Sequence, residues 1–244
     1  MICVECGSAV NHVYRDYGKG NVRLTRCQIC HEYADKYIEY EFMLVLLDLI
    51  LHRHQVYRHL LFNRIDYHES GVDVTLLKLI PAFICFDAYL KWFRLAKYYD
   101  ESFDSASLAT VSSFSSKPYD YHFTLLGCAA LEFLLFVLGI LMIARLTQRK
   151  VDTHFVKYNY LVMAILISTF GRLLIVLMMI WDYDVNFGRV VNIFILTSNI
   201  TATKVFLDGS GMQASACVLG GYMLRMLVPI AMYLANRSFI MFIL

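Results

Sequence analysis

Two Cys-x2-Cys pairs, Cys3 with Cys6 and Cys27 with Cys30, are the residues whose type and spacing point most directly to chemistry. Each pair can present two sulfurs to one ion, and four thiolates at about 2.3 Å make the tetrahedral soft-ligand shell that a structural Zn2+ accepts. A closed shell leaves no coordination position for water or substrate, so the metal is expected to hold structure and not to catalyse. Gly7, directly after Cys6, suits a turn that needs positive φ. Val13-Tyr14-Arg15 and Val22-Arg23-Leu24 alternate like the arms of a short hairpin. About forty residues bury too little apolar area by themselves, so the ion would supply much of the folding energy of this module. His12 and His31 lie near enough to act as alternative ligands, although four cysteines already complete the set.

The rest of the chain reads as membrane. Of 244 residues 59% are hydrophobic, against about 45–50% in soluble domains even with glycine counted. Several apolar runs approach the length that crosses a hydrocarbon layer of about 30 Å. A formal charge of +2 gives no basic field to attract nucleic acid, and none is expected as a partner. No secretory signal pattern lies ahead of Cys3, which sets the expectation of a cytosolic N-terminus.

The predicted fold class is a small N-terminal zinc ribbon followed by an all-α polytopic membrane bundle. Residues 1–41 form the ribbon and its junction, 42–64 an interfacial or packed amphipathic helix, and 72–244 a membrane domain. Phe42–Leu51 is apolar but too short to span. A helix through 42–62 either lays its leucines in lipid with Arg53 and Arg58 at the headgroups, or packs on the ribbon or the bundle. Five later segments are candidate spans: 74–93, 122–144, 158–180, 190–207 and 214–234. The fourth carries Thr197, Ser198, Asn199, Thr201, Thr203 and Lys204 and is expected to be the weakest, broken or re-entrant. Basic residues gather on the side of the N-terminus and the 145–157 loop, whereas the 94–121 and 181–189 loops hold Arg94, Lys97, Lys117 and Arg189, which favours an N-in orientation. Ser-rich 102–116 reads as a flexible loop on the opposite side.

Glu132, Arg172 and Arg225 fall at membrane depth, where each must face the bundle interior, a hydrated cavity or a polar lipid group. Glu132 pairing with Arg172 or Arg225 would leave the other arginine for an anionic headgroup. Asn199 and its polar neighbours could line a groove or bond between helices. Asp87, near the end of its span, reads as interfacial. Cys85, Cys128 and Cys217 read as buried apolar residues, and no GxxxxGK[ST], GxSxG or HExxH pattern is present.

Cys3-x2-Cys6, Tyr14-Arg15-Asp16-Tyr17, Cys27-x2-Cys30, the run Asp35 to Glu41, the run Tyr57 to Asn63, and Leu196-Thr197-Ser198-Asn199 together resemble the Arv family, the ACAT-related proteins required for viability. The resemblance is specific over about residues 1–64. It implies an endoplasmic-reticulum membrane protein with roles in sterol homeostasis, sphingolipid metabolism and glycosylphosphatidylinositol-anchor assembly. The expected activity is non-enzymatic: lipid transport by the bundle, or a scaffold for lipid- and anchor-synthesis enzymes. Membrane lipids, sterol or anionic phospholipid, are the expected partners of Glu132, Arg172, Asn199 and Arg225. Tyr37, Tyr40, Tyr57, Arg58 and Phe62 are the expected contacts of a protein partner.

Overall fold

In a computed structural model the chain is described over residues 1–18, 21–64, 78–103, 118–147, 156–172, 185–207 and 209–235. Packing divides it into two units, Met1–Asp73 with Lys150–Val218, and Val74–Arg149 with Leu219–Leu244.

The first unit begins with strands β1 (Tyr14–Asp16) and β2 (Val22–Leu24), paired antiparallel with Arg15 opposite Arg23. The expected hairpin therefore forms. Isolated bridges join Ile2 to Ala9 and Arg26 to Tyr33, and no closed ribbon sheet is present among the described residues. After a 3-10 turn at Lys36–Ile38 come α1 (Phe42–Ile50) and α2 (His54–Arg58), the latter running on into a wider turn at His59–Asn63. The single helix expected over 42–62 is thus two. The chain breaks at His52, whose φ is +54°, a left-handed conformation that no L-residue adopts inside a right-handed helix.

Helix α3 (Leu79–Phe103) opens the second unit, followed by α4 (Pro118–Thr147); α5 (Val156–Ser168) and α6 (Val185–Leu207) belong to the first unit. Helix α7 (Gly211–Ala235) has its residues from Leu219 onward in the second unit. Three stretches, His122–Thr147, Val190–Leu207 and Gly211–Leu234, are long and apolar enough to cross a membrane, and Tyr160–Gly171 is a shorter apolar helix. These coincide with the second, fourth and fifth expected spans. Helix α3 continues past the expected end of the first span through Arg94 and Lys97. Residues 173–180 of the third span, and the Ser-rich loop from residue 104, lie outside the described residues.

The fourth span is not broken. Its hydroxyls bond back to its own carbonyls, Thr197 Oγ1 to Phe194 O and Thr201 Oγ1 to Thr197 O, each at 2.9 Å. These two hydroxyls are thereby satisfied without interrupting the helix.

Within the second unit, α4 buries a stripe of Leu125, Ala129, Phe136, Ile140 and Ala144 and turns Phe123, Leu131, Leu134, Leu138 and Met142 outward. A helix apolar on both faces is the pattern lipid solvent demands. It also meets α7 at close range. A Cβ added to Gly139 would lie 2.8 Å from Gly221 Cα, and one added to Gly221 would lie 2.9 Å from Phe136 O. Without a hydrophobic force between helices in lipid, such backbone approach is what packs them.

Gly221→Leu is expected to separate α4 from α7 and cost about 2 kcal/mol, the scale of overpacking. Gly127, by contrast, has open space around its Cβ position, so Gly127→Ala is expected to be neutral or mildly stabilising. Thermal unfolding of both variants in detergent checks the pair of outcomes.

Candidate metal centre and membrane charge network

The sulfurs of Cys3, Cys6, Cys27 and Cys30 all lie within 4.8 Å of one another. Cys3 to Cys30 and Cys6 to Cys27 are each 3.7 Å, close to the edge of about 3.8 Å that four thiolates keep around a tetrahedral ion such as Zn2+ at about 2.3 Å. The donor set therefore fits one metal ion.

Two copies of one local structure bring the sulfurs together. Cys3 N donates to Ser8 O and Gly7 N to Cys3 O; Cys27 N donates to Glu32 O and His31 N to Cys27 O. Each pair is followed by a left-handed residue, Gly7 at φ +79° and His31 at +62°. Gly7 behaves as its position predicts. His31, a possible ligand by sequence, is instead the counterpart of Gly7, occupying the turn that aims Cys30. The Ser8 hydroxyl lies 2.9 Å from Cys6 Sγ and 3.3 Å from Cys27 Sγ. This hydroxyl, together with the amides of Cys30 and Ile29, draws the Cys27 thiol down to about 6, while burial pushes Cys3 up to about 12. A bound cation would favour the thiolate at all four positions.

Beside the cysteines, Asp35 is fully buried. Its Oδ1 accepts from Tyr37 N at 3.0 Å, and its Oδ2 takes His59 Nδ1 and Asn63 Nδ2, each at 2.7 Å. Asn63 also exchanges two hydrogen bonds with the backbone of Ile2. Arg58 donates to Val4 O and Glu5 O, clamping the first cysteine turn to α2. Glu5 accepts from Lys36 at 2.9 Å and Gln55 at 3.1 Å, and the Lys36 ammonium holds its carboxyl below the usual range despite burial.

These contacts revise the expected partner surface. Tyr37 is buried because its hydroxyl donates to Asp48 Oδ2 at 2.8 Å, and Tyr57 is buried because its hydroxyl meets Ser198 Oγ of α6 at 2.8 Å. Arg58 is committed to the cysteine turn. Of the five expected contacts, Tyr40 is exposed and Phe62 half-buried.

The four membrane residues separate between the units. In the first, Ser168 Oγ donates to Asn199 Oδ1 on α6, and Arg172 is buried just after the turn Thr169–Gly171. Asn199 Nδ2 and Thr203 Oγ1 are buried without a hydrogen-bond partner among the described residues. In the second unit, Arg225 Nε meets Glu132 Oε2 at 3.1 Å, the pairing that sequence offered as one of two. Two unforeseen residues complete a ring. Lys91 Nζ lies 2.6 Å from Glu132 Oε1 and 3.6 Å from Asp87 Oδ2, and Arg225 reaches Asp87 Oδ2 at 3.4 Å. Asp87 is therefore part of a buried network and not a surface charge. The signal was the i,i+4 spacing of Asp87 and Lys91 on one helix. Two acids and two bases cancel, so the ring is neutral at membrane depth.

Fold and centre together define a multi-pass helical membrane protein that carries an N-terminal cluster of four cysteines whose geometry fits a metal ion. The Arv1-like family matches residues 2–203, and the chain belongs to that family. The protein arv1 homolog of Dictyostelium discoideum is 42% identical over 99% of this chain and 98% of its own length. Protein arv1 of Schizosaccharomyces pombe is 34% identical over 86% of the chain and 76% of its own length, and protein ARV1 of Homo sapiens 32% over 91% and 78%. No solved structure matches the chain.

Cys27→Ser is expected to lower the metal content of the purified protein sharply, read by elemental analysis, while the helical content holds. Asp35→Ala strands three donors in a buried site and is expected to cost about 3 kcal/mol or more in module stability, read by protease resistance of residues 1–64. Arg225→Leu leaves Asp87 and Glu132 to share Lys91 and is expected to destabilise the protein by about 3 kcal/mol. Restoring charge balance with a second change, Asp87→Leu, should recover part of that loss in detergent melts.

Proposed function

We propose that this protein is a non-enzymatic lipid transporter of the endoplasmic-reticulum membrane, with its N-terminal module in the cytosol and a structural Zn2+ bound by Cys3, Cys6, Cys27 and Cys30. When bound, the ion supplies cross-links between the two cysteine turns and no reactive position. Family membership supports a role in lipid homeostasis, with sterol or anionic phospholipid as cargo and links to sphingolipid and glycosylphosphatidylinositol-anchor metabolism. A reducing cytosol suits four cysteines that hold metal and not disulfides.

The observation that carries the reading is a cleft of about 390 Å³ in the second unit, lined by Cys85, Ala88, Tyr89, Trp92, His122, Phe123, Leu125 and Leu126. Its wall is largely apolar, with Trp92 between Tyr89 and His122, ring centroids 5.9 and 5.7 Å apart. An apolar slot with a few polar tips is the chemistry that receives an amphiphile. Asn199, whose Nδ2 has no hydrogen-bond partner among the described residues, offers a further polar position for a headgroup in the first unit. Glu132 and Arg225 serve by holding α3, α4 and α7 in register, because their charges are already spent on one another. The neutral ring and the closed thiolate set give neither an acid–base pair nor an open metal, which supports transport over catalysis.

Lipid mass spectrometry on protein purified in mild detergent, paired with transfer assays between vesicles, tests the proposal. Selective retention of one lipid class and protein-dependent transfer are expected, and Ala88→Trp, which fills the cleft, is expected to lower both several-fold. Equal retention and transfer by wild type and Ala88→Trp, with metal content intact, would move the function to a scaffold that holds lipid- or anchor-synthesis enzymes through surfaces such as Tyr40 and Phe62.

A further inference from the structure

Helix α1 has two faces of one chemical kind in two different environments. Val45, Asp48 and Leu49 are buried. Met43, Leu44, Leu47 and Leu51 fall within an arc of about 100° on the other side and stand exposed, Met43 by 62% and Leu51 by 63%, with Phe42 open at the N-terminal end. Contiguous exposed apolar surface of this kind marks contact with protein or membrane. No charge interrupts it. The helix's single ionised residue, Asp48, is turned inward to the Tyr37 hydroxyl and to Arg53 Nε at 3.4 Å.

The partner of α1 is fixed by where the turn after it sits. His52 Nε2 lies 3.3 Å from Phe194 O and 3.2 Å from Thr197 Oγ1, and its ring packs edge-on against Phe194 at 4.7 Å. Tyr57 meets Ser198. The apolar stretch of α6 runs from Val190 to Leu207. Phe194 and Ser198 therefore both lie inside it. The turn between α1 and α2 touches a spanning helix within its apolar length, not at its polar margin. Val190 and Ile193 of α6 are themselves exposed.

The backbone at the break meets the requirement of that environment. Leu51 N donates to Leu47 O, His52 N to Leu49 O and Arg53 N to Asp48 O, so the interruption leaves these N–H groups paired. Irregular backbone near hydrocarbon is tolerated only when its polar groups are satisfied within the protein.

We infer that the Met43–Leu44–Leu47–Leu51 face of α1 is a lipid-contact surface, set into the headgroup–acyl boundary of one leaflet, with the Arg53 stem lying along apolar surface and its guanidinium at the phosphates. The inference rests on α6 crossing a bilayer and not on the protein moving lipid, so it stands or falls apart from transport. The occupant is phospholipid. The face that sequence left open between packing and lipid does both, one on each side.

A photo-crosslinking amino acid placed at Leu47 of the full chain, reconstituted in phosphatidylcholine–phosphatidylserine vesicles, tests this. Leu47 is expected to yield phospholipid adducts at least ten-fold above the same probe at Ile29, which is exposed on the second cysteine turn. Leu44→Asp combined with the Leu47 probe is expected to lower those adducts several-fold while metal content stays unchanged. Adducts joining two copies of the chain, or a Leu47 yield equal to that of Ile29, would overturn the proposal, as would adducts unaffected by Leu44→Asp in a metal-loaded protein.

Discussion

A carboxylate with no exposure to water organises the N-terminal third of this protein. Asp35 gathers an amide from the next turn, an imidazole and a carboxamide, and through Asn63 and its neighbour Arg58 it reaches the backbone beside Cys3 and Cys6. A buried anion is tolerable only when its lone pairs are filled, so segments far apart in sequence must arrive together. That requirement ties the cysteine module to α2, and α2 in turn delivers Tyr57 to α6. The cysteine cluster is thus not a pendant domain but one end of a continuous polar seam.

The motif residues become intelligible in these terms. The run from Asp35 supplies the acceptor, the salt bridge of Lys36 and the phenol of Tyr37, while the run from Tyr57 to Asn63 supplies the donors. Ser198 and Asn199, short polar residues in an apolar helix, are the receiving positions, for Tyr57 and Ser168. Residue types that look like a surface for partners are mostly the interior hardware of one joint.

The four cysteines and Gly7 were legible because ligand spacing and positive φ are local properties. Three helices long and apolar enough to span were legible because lipid selects for length and apolarity alone. What sequence could not yield depends on distant partners. Tyr37 and Tyr57 read as exposed because nothing local reveals Asp48 or Ser198 waiting for their hydroxyls. Lys91 sat near the expected margin of its span, where a lysine ordinarily snorkels, until α4 and α7 brought Glu132 and Arg225 to it. The break at His52 was hidden in a run whose leucines satisfy helical periodicity on both sides. The repeat of the cysteine turn was masked because a glycine in one copy is a histidine in the other.

The neutral ring in the second unit bears on how the chain is made. Helix α3 carries its own balanced pair, Asp87 and Lys91, but α4 brings an acid and α7 a base. During synthesis α4 emerges long before α7, so Glu132 must first share Lys91, and Arg225 enters the bilayer last, at a cost of about 3 kcal/mol for an arginine at the centre of a lone helix. Docking of the final helix on the waiting carboxylates removes that cost. A chain halted before α7 would hold Asp87 and Glu132 against Lys91 alone, one carboxylate in excess.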